Sequence, residues 1–465
     1  MRVVALTLLT VFIIAISCKK ESTIKSPNAL LRLSEDTLHF DTVFTTTGST
    51  TQFFRIYNPN NQKLVLSNVQ LMGSNASFFK MNIDGISGTN LTNVEIAAND
   101  SIYGFVTVSI NPNANNLPFI VRDSIKISYN GNNRFMQLEA FGQNANFLRN
   151  KAVTKDTTWT NNLPIVIIGP LTVNEGKTLT INKGCKVYLH ADAPILVNGT
   201  LKAIGERFDS MRISFQSDRI DVPYKDYPGA WPGIYFTQKS TNNVLQYCTI
   251  KNAYQGTIAE APSVNSNPKL LLNECIIDNI FDVAIGGSNS SITARNCLVS
   301  NCGSNVFIAS GGTYNFNHCT FISYGNNFIE HKNPVVTLSN TNSSNQTNAL
   351  TATIQNSIIH GEGGMVDNEI VLVKNTATTF TVALTNVLYK VKTDIPAANA
   401  SITNSLKNQL PIFDSIDISK RNFNFRLRSN SPCINAGFAT GVLFDLDGKA
   451  RTLGTLPDLG CYEKQ

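Results

Sequence analysis

Charge is what this sequence has least of. Asp, Glu, Lys and Arg make up 15% of its 465 residues, against about 25% in ordinary globular domains. The formal excess of +6 is spread along the chain without a basic run, so the electrostatic stripe that a nucleic-acid partner needs is missing. Five histidines, at 39, 190, 318, 331 and 360, show no metal-ligand spacing. No Asp-Asp pair and no Gly-His-Gly turn occurs. The apolar run at residues 3–16 is too short for a comfortable membrane span. What remains is a Thr/Ser/Asn-surfaced composition suited to a β protein, long enough for two or three domains with a substantial core.

Within that composition, five stretches place a Cys or Ser in one frame: Val244-Leu-Gln-Tyr-Cys-Thr-Ile250, Leu271-Leu-Asn-Glu-Cys-Ile-Ile277, Thr293-Ala-Arg-Asn-Cys-Leu-Val299, Asn315-Phe-Asn-His-Cys-Thr-Phe321 and Thr353-Ile-Gln-Asn-Ser-Ile-Ile359. A sixth, Ala383-Leu-Thr-Asn-Val-Leu-Tyr389, keeps the frame with Val at its centre. The third position before the centre and the second after it are always apolar. Asn252, Asn279 and Asn301 follow four residues after the first three cysteines, and Ile258, Ile285, Phe307 and Ile329 ten after the first four. Fixed offsets over several copies mark a repeat. Inward residues at two-residue intervals signal strands, and the polar pair before each Cys breaks the alternation as a corner would. Cys275, Cys297 and Cys319 are spaced by 22 residues, enough for three short strands with turns and too few for a helical crossover. The spacing predicts coils stacked as a parallel β-helix.

This frame resembles the right-handed parallel β-helix proteins of the pectin-lyase-like superfamily over roughly residues 160–430. Leu179-Thr-Ile-Asn-Lys-Gly184, Ile195-Leu-Val-Asn-Gly-Thr-Leu201 and Gly229-Ala-Trp-Pro-Gly-Ile234 add to it. The resemblance implies that the Cys, Ile and Asn columns are interior ladders. At about 4.8 Å per coil, ten or eleven coils would make a rod of roughly 50 Å. Stacked cysteines would then hold their Cβ atoms about 4.8 Å apart, beyond the roughly 3.8 Å of a disulfide, so buried free thiols are expected. Cys433 and Cys461 lie outside the ladder, and a bond between them and two free thiols are equally open. His318 reads as a surface corner.

At the front, residues 1–16 have the layout of a secretory signal ending in Ala15-Ile-Ser-Cys18. This resembles the lipobox of bacterial lipoproteins, with Ala15 where Leu is usual. It implies a signal peptide over 1–17, a lipidated Cys18, a tether over 18–32 and attachment to a membrane of the bacterial cell envelope, by expectation the outer membrane, on its periplasmic face or at the cell surface. A plain signal or an uncleaved anchor is the alternative. Residues 33–146 carry about seven short alternating strands and an Asn130-Gly131 turn, which argues for a β-sandwich. Their closing run is similar to immunoglobulin-like domains of the abnormal-spindle/hydin type. Residues 431–465, with Ser431-Pro-Cys-Ile-Asn-Ala-Gly437 and Pro457-Asp-Leu-Gly-Cys-Tyr-Glu463, resemble the C-terminal element of choice-of-anchor β-helix proteins and read as a cap on the last coil of a helix spanning 155–430. The expected fold is therefore all-β: an N-terminal immunoglobulin-like β-sandwich, then a right-handed parallel β-helix with a C-terminal cap.

Three places could carry function. The departure from the repeat between Gln216 and Trp231 crowds Asp218, Arg219, Asp221, Tyr224, Lys225, Asp226, Tyr227 and Trp231; as a loop it would offer rings and charges to a sugar chain, or it is a solvated loop with Trp231 packed on the coil. Asp445, Asp447 and Asp458 would suit calcium, or simply form turns; no other cofactor is called for. Lyases of the resembled superfamily need acidic ligands beside an Arg or Lys base, and Arg207, Asp209, Arg212, Asp218 and Asp221 are the nearest set. The reading favoured is a lipid-anchored envelope protein binding carbohydrate or cell-surface proteins without catalysis. A polysaccharide lyase or glycoside hydrolase and a structural or adhesive rod are the alternatives.

Overall fold

The computed structural model describes residues 22–45, 48–111, 118–451 and 454–464. The apolar run and Cys18 lie outside the described residues. The chain divides into two compact units, Met1–Asn144 and Ala145–Gln465.

The first unit is a β-sandwich of two five-stranded sheets. One contains Gln52–Asn58, Asp100–Val108 and Phe79–Ile83; the other contains Thr37–Phe44, Asn132–Gln143, Phe119–Tyr129, Leu64–Leu71 and Asn90–Ile96. Alternation sets which side faces in: along Asp100–Val108, Ile102, Val106 and Val108 are buried while Tyr103 and Phe105 face out. Gly104 is glycine for room, since a Cβ there would lie 2.4 Å from the Phe54 ring. The expected hairpin forms at Asn130 and Gly131, both with positive φ, which joins Tyr129 to Asn132.

In the second unit each strand pairs in parallel with strands one coil away, from Asn146–Val153 to Leu406–Lys407, in a closed β-helix-like sheet of 24 strands. The first coil starts at Asn146, ahead of the expected 155, because Asn146–Val153 pairs with Ile165–Val173. Its positions are mostly outward and polar, so it lacks the inward alternation of the later coils. At the other end the coils stop before 430, and Phe413–Asp417 and Asn422–Leu427 form a separate antiparallel hairpin.

The repeat frame maps onto the coils directly. Leu245, Leu272, Ala294, Phe316, Ile354 and Leu384, three before each centre, align in consecutive coils and are all buried. So do Ile250, Ile277, Val299, Phe321, Ile359 and Tyr389, two after. Each large aliphatic or aromatic side chain so buried contributes roughly 1.5–3 kcal/mol. Cys248, Cys275, Cys297 and Cys319 are fully buried free thiols. Cys275, Cys297 and Cys319 donate Sγ–H to Leu245, Leu272 and Ala294 carbonyls, each in the preceding coil, at 3.3, 3.6 and 3.6 Å. Cys433 and Cys461 are likewise free and buried.

One expected column splits. Ile285 is buried and pairs with Thr257 and Val306, whereas Ile258 and Phe307 pair with Gly286 and turn outward. The second copy holds one more residue than its neighbours between its Cys and this strand, and a one-residue slip reverses every side chain.

Residues immediately before the centre, Tyr247, Glu274, Asn296, His318, Asn356 and Asn386, all have φ between 47° and 54°. The second corner, at Asn252, Asn279 and Asn301, is left-handed too. Asn tolerates that region better than other non-glycine residues.

The C-terminal segment does not close the end of the last coil; it lies along the first corner column. Asn386 donates to the Ala436 carbonyl, Asn356 to Phe438, Asn317 to Thr440 Oγ1 and Asn296 to Phe444, and Arg212 donates to Leu446. As the segment advances, its partners step back one coil at a time from Asn386 to Asn296, and Arg212 lies three coils further back. Arg451, 1% exposed, fixes it from beneath, with Nη2 donating to Asn296 Oδ1 at 2.6 Å and to the Gly460 carbonyl, and Nη1 3.3 Å from Glu463.

This segment also corrects His318, which sits at a corner but is fully buried, its Nε2 accepting from Asn356 Nδ2 at 3.0 Å. Burial, with Arg451 nearby, pushes the imidazole pKa down to about 2. An unfolded His takes up a proton below about 6.5 and the folded one does not, so its contribution is complete above about pH 6.5 and falls as pH drops, by about 2 kcal/mol at pH 5. Glu463, pushed up to about 7 by burial, has the opposite sign: its contribution is complete below about 4.3 and is lost as pH rises through 7. Replacing His318→Asn, the residue at the Asn296 and Asn356 corners, should remove the acid-side loss. In urea titrations at pH 7 and pH 5, the wild type should lose about 2 kcal/mol more than the variant between the two; equal losses would refute the assignment.

Candidate ligand-binding surface

The departure from the repeat leaves the coil after Ile213–Ser217 and returns at Ile234–Phe236. Its path is held by polar contacts on both sides. Arg219 makes a two-pronged ion pair to Asp221 at 2.9 and 3.0 Å, and its guanidinium lies 3.8 Å over the Tyr224 ring. Asp218 pairs with His190 at 2.8 Å, and burial raises its carboxyl pKa. A single 3-10 turn, Tyr224–Asp226, hangs on the second corner column: Asn252 Nδ2 donates to the Lys225 carbonyl at 2.6 Å and Asn279 Nδ2 to the Asp226 carbonyl at 2.9 Å. Asn279 also donates to Asn252 Oδ1. The left-handed corners thus turn their amides outward, where they act as the loop's mooring.

Trp231 does not belong to the outer surface. It is 1% exposed, donates Nε1–H to the Lys251 carbonyl at 2.8 Å and packs in the helix core. It bridges in parallel to Ala253 and so already lies on the next coil.

In its place the structure sets Tyr224 and Tyr227 of the loop beside three rings that the sequence pattern did not single out, Tyr254, Phe281 and Phe328. Tyr224 meets Tyr227 edge-on at 5.4 Å, and Tyr227 meets Phe328 at 5.1 Å. Tyr254 and Phe281 stack at 5.5 Å, and Gly229, at φ +73°, lies against both. These five rings are 37–49% exposed. A signal for two of them was present, since Tyr254 and Phe281 each follow a ladder cysteine by six residues; Phe328 comes from an excursion without a pattern. Of the neighbouring charges, Arg219 pairs with Asp221 and Arg421 with Asp226, while Lys225 is exposed between the two tyrosines. Aromatic faces and edges framed this way suit ligands with apolar C–H surfaces and polar rims.

The other expected groups are not gathered. Asp445 accepts backbone N–H from Lys449 and Glu463, Asp458 accepts from Asn435 and Lys464, and Asp447 pairs with Arg426. They close turns of the C-terminal segment, and among the described residues no group of three or more His, Cys, Asp or Glu is arranged to hold a metal ion. Arg212 is buried, donating to the Glu274 carbonyl, and the Arg207 side chain lies against Gly448; neither converges with Asp218 and Asp221.

A cluster that sequence reading missed lies in the last coils. Buried His331 Nε2 is 3.0 Å from both oxygens of buried Glu369, and Lys390 Nζ lies 3.9 Å from Glu369 and donates to the Gly361 carbonyl. His360 Nε2, 3.0 Å from Glu362, lines a cleft of about 410 Å³ together with Lys390. The parts come from three separate segments, so no local spacing announces them.

If the second-corner asparagines moor the loop, Asn279→Leu should cost about 1–3 kcal/mol through stranded polar groups. It should also open residues 222–227 to limited proteolysis under conditions where the wild type resists; equal resistance would show that the loop is held otherwise.

No protein-family description matches the chain, and no characterised protein does. Among solved structures, it is similar to a family 123 glycoside hydrolase from Clostridium perfringens, studied for glycolipid glycan hydrolysis, at 10% identity and TM-score 0.18 over 24% of this chain and 26% of that one. It is also similar to the ASH/PapD-like domain 7 of human CEP192, at 9% identity and TM-score 0.18 over 27% of this chain and 92% of that one. The chain spans about a quarter of the hydrolase's length. Likenesses this slight assign neither a family nor a substrate, and the function rests on the geometry above.

Proposed function

We propose that the chain is a lipid-anchored envelope protein whose β-helix, right-handed and of the pectin-lyase-like kind, binds carbohydrate through the Tyr224–Tyr227–Phe328 and Tyr254–Phe281 surface without altering it. The observation that carries this reading is the set of five partly exposed rings, Tyr224 and Tyr227 on a loop that polar contacts fix in place and Tyr254, Phe281 and Phe328 from turns of other coils. A preformed aromatic surface loses little conformational entropy on binding, and ring faces suit the C–H surfaces of sugars. The anchor rests on the resemblance of Ala15-Ile-Ser-Cys18 to a lipobox, which supports attachment to a bacterial envelope membrane, where polysaccharide or cell-surface protein would be the partner. Catalysis is the second reading, favoured by the cleft that His360, Glu362 and Lys390 line.

Affinity electrophoresis over a panel of neutral and uronic-acid polysaccharides tests the binding. At least one polymer should retard the wild type, and Tyr254→Ala/Phe281→Ala should weaken that retardation about tenfold or more, each ring contributing about 0.5–1.5 kcal/mol beyond its area. Unchanged retardation in the variant would remove the aromatic surface from the account. Unsaturated product appearing with uronate polymers, and lost in Lys390→Ala, would shift the reading to catalysis.

A further inference from the structure

The chain is bonded to one end of the β-sandwich from its first described residue. Lys63 N donates to the Ser22 carbonyl at 3.2 Å and Ile24 N to the Lys63 carbonyl at 2.9 Å, so Thr23 bridges in parallel to Lys63. Gln62 Nε2 donates to Ser22 Oγ at 2.6 Å. Further along, Asn130 Nδ2 donates to the Ile24 and Ser26 carbonyls, both at 3.0 Å, and Asn132 Nδ2 to the Pro27 carbonyl at 2.7 Å. Leu30 N donates to Asn60 Oδ1 at 3.0 Å, and Asn60 Nδ2 returns a bond to the Leu30 carbonyl at 2.7 Å. Ala29 and Leu31 are buried in the sandwich core, and Ile24 packs against it.

The polar partners belong to the turns 58–63 and 130–132. The turn 97–100 joins them, since Asn99 N donates to the Asn60 carbonyl and Asn58 Nδ2 to the Ile96 and Ala97 carbonyls. The strand Leu64–Leu71 leaves this end directly after Lys63 and, at about 3.4 Å per residue, carries the chain roughly 24 Å away, to the 3-10 turn Ser74–Ala76. Two opposite ends of the unit are thereby defined. The one that holds residues 22–31 exposes Lys25, Asn28 and Asn61, with Leu30 64% exposed beside Asn60.

In sequence only Lys19, Lys20 and Glu21 separate Cys18 from Ser22. The steps from Cys18 to Ser22 span at most about 14 Å even when fully extended. Acyl chains on Cys18 would lie in the bilayer and put its backbone at headgroup level. Ser22, and the turns bonded to it, would then be confined to within that span of the membrane surface, while Ala76 would stand at the other end of the unit. Lys19, Lys20 and Lys25 lie on this side, and lysines close to an anionic leaflet are attracted to it.

We propose that the end of the sandwich formed by the turns 58–63, 97–100 and 130–132, with residues 22–31 bonded across it, is a surface that meets the lipid headgroups. The unit is held end-on by its own first strap of chain, because that strap is part of it and leaves no length for a leash. This inference rests on the anchor proposed above and adds which face of the unit the membrane touches.

The test uses the full chain, exported and lipidated, in vesicles of phosphatidylcholine and phosphatidylglycerol that carry a nitroxide on the headgroup. A thiol-reactive fluorophore is attached through Asn61→Cys or Ala76→Cys; both positions are exposed, and the eight cysteines after Cys18 are buried. The nitroxide should quench the label of Asn61→Cys and leave that of Ala76→Cys at full emission, with the melting temperature unchanged in both. Vesicle flotation of the wild type and of Cys18→Ser separates the two claims. Flotation that needs Cys18, together with equal quenching at both positions or stronger quenching in Ala76→Cys, would overturn the orientation alone. A wild type that does not float, or a Cys18→Ser variant that still does, would overturn the anchor and the orientation with it.

Discussion

Everything in the second unit follows from a corner that the backbone can turn only at positive φ. Stacked coils must reverse direction just before the cysteine column, and six successive copies do so with φ between 47° and 54°. That conformation disfavours most side chains and is tolerated by Asn. The requirement explains the asparagine at three of the six positions. It also explains why a Tyr, a Glu and a His can stand there only with compensating contacts, as Glu274 does with Arg295 and His318 with Asn356.

The amides that the corners require then do a second task. At the first corner column, Asn296, Asn356 and Asn386 donate to carbonyls of the C-terminal segment, which would otherwise have little to bind on a flank of strand edges. At the second column, Asn252 and Asn279 moor the loop that carries Tyr224 and Tyr227. A backbone constraint thus becomes a row of oriented donors. Both features that elaborate the coil, the covering segment and the candidate surface, are fastened to it.

Covering the first column buries charge, which the protein tolerates only by pairing. Arg451 and Glu463 are each about 1% exposed and bonded to one another. Desolvation still lowers the Arg451 pKa and raises the Glu463 pKa, as expected when the cost of removing ions from water rivals their attraction. Such a cluster specifies where the segment sits more than it stabilises the fold. His318, enclosed in the same place, becomes a group that cannot be protonated without loosening the cover.

The coil itself was legible from the chain because burial in a stacked helix is periodic. Leu245, Leu272 and their successors lie inside because each coil repeats the same inward positions, and the cysteine spacing excluded both crossovers and disulfides before any coordinates. The hairpin at Asn130-Gly131 was legible for a similar reason, its turn chemistry being local. Tertiary structure alone decided the exposure of His318, the burial of Trp231 and the split of the Ile258 and Ile285 column. The first depends on a segment more than a hundred residues away, the second on which coil resumes after an excursion, the third on one extra residue in a turn. It also decided the candidate surface, since Phe328 and Tyr227 are neighbours only once coils of unequal length have stacked. Periodicity determines what faces inward, but what meets on the outside depends on the lengths of the loops between.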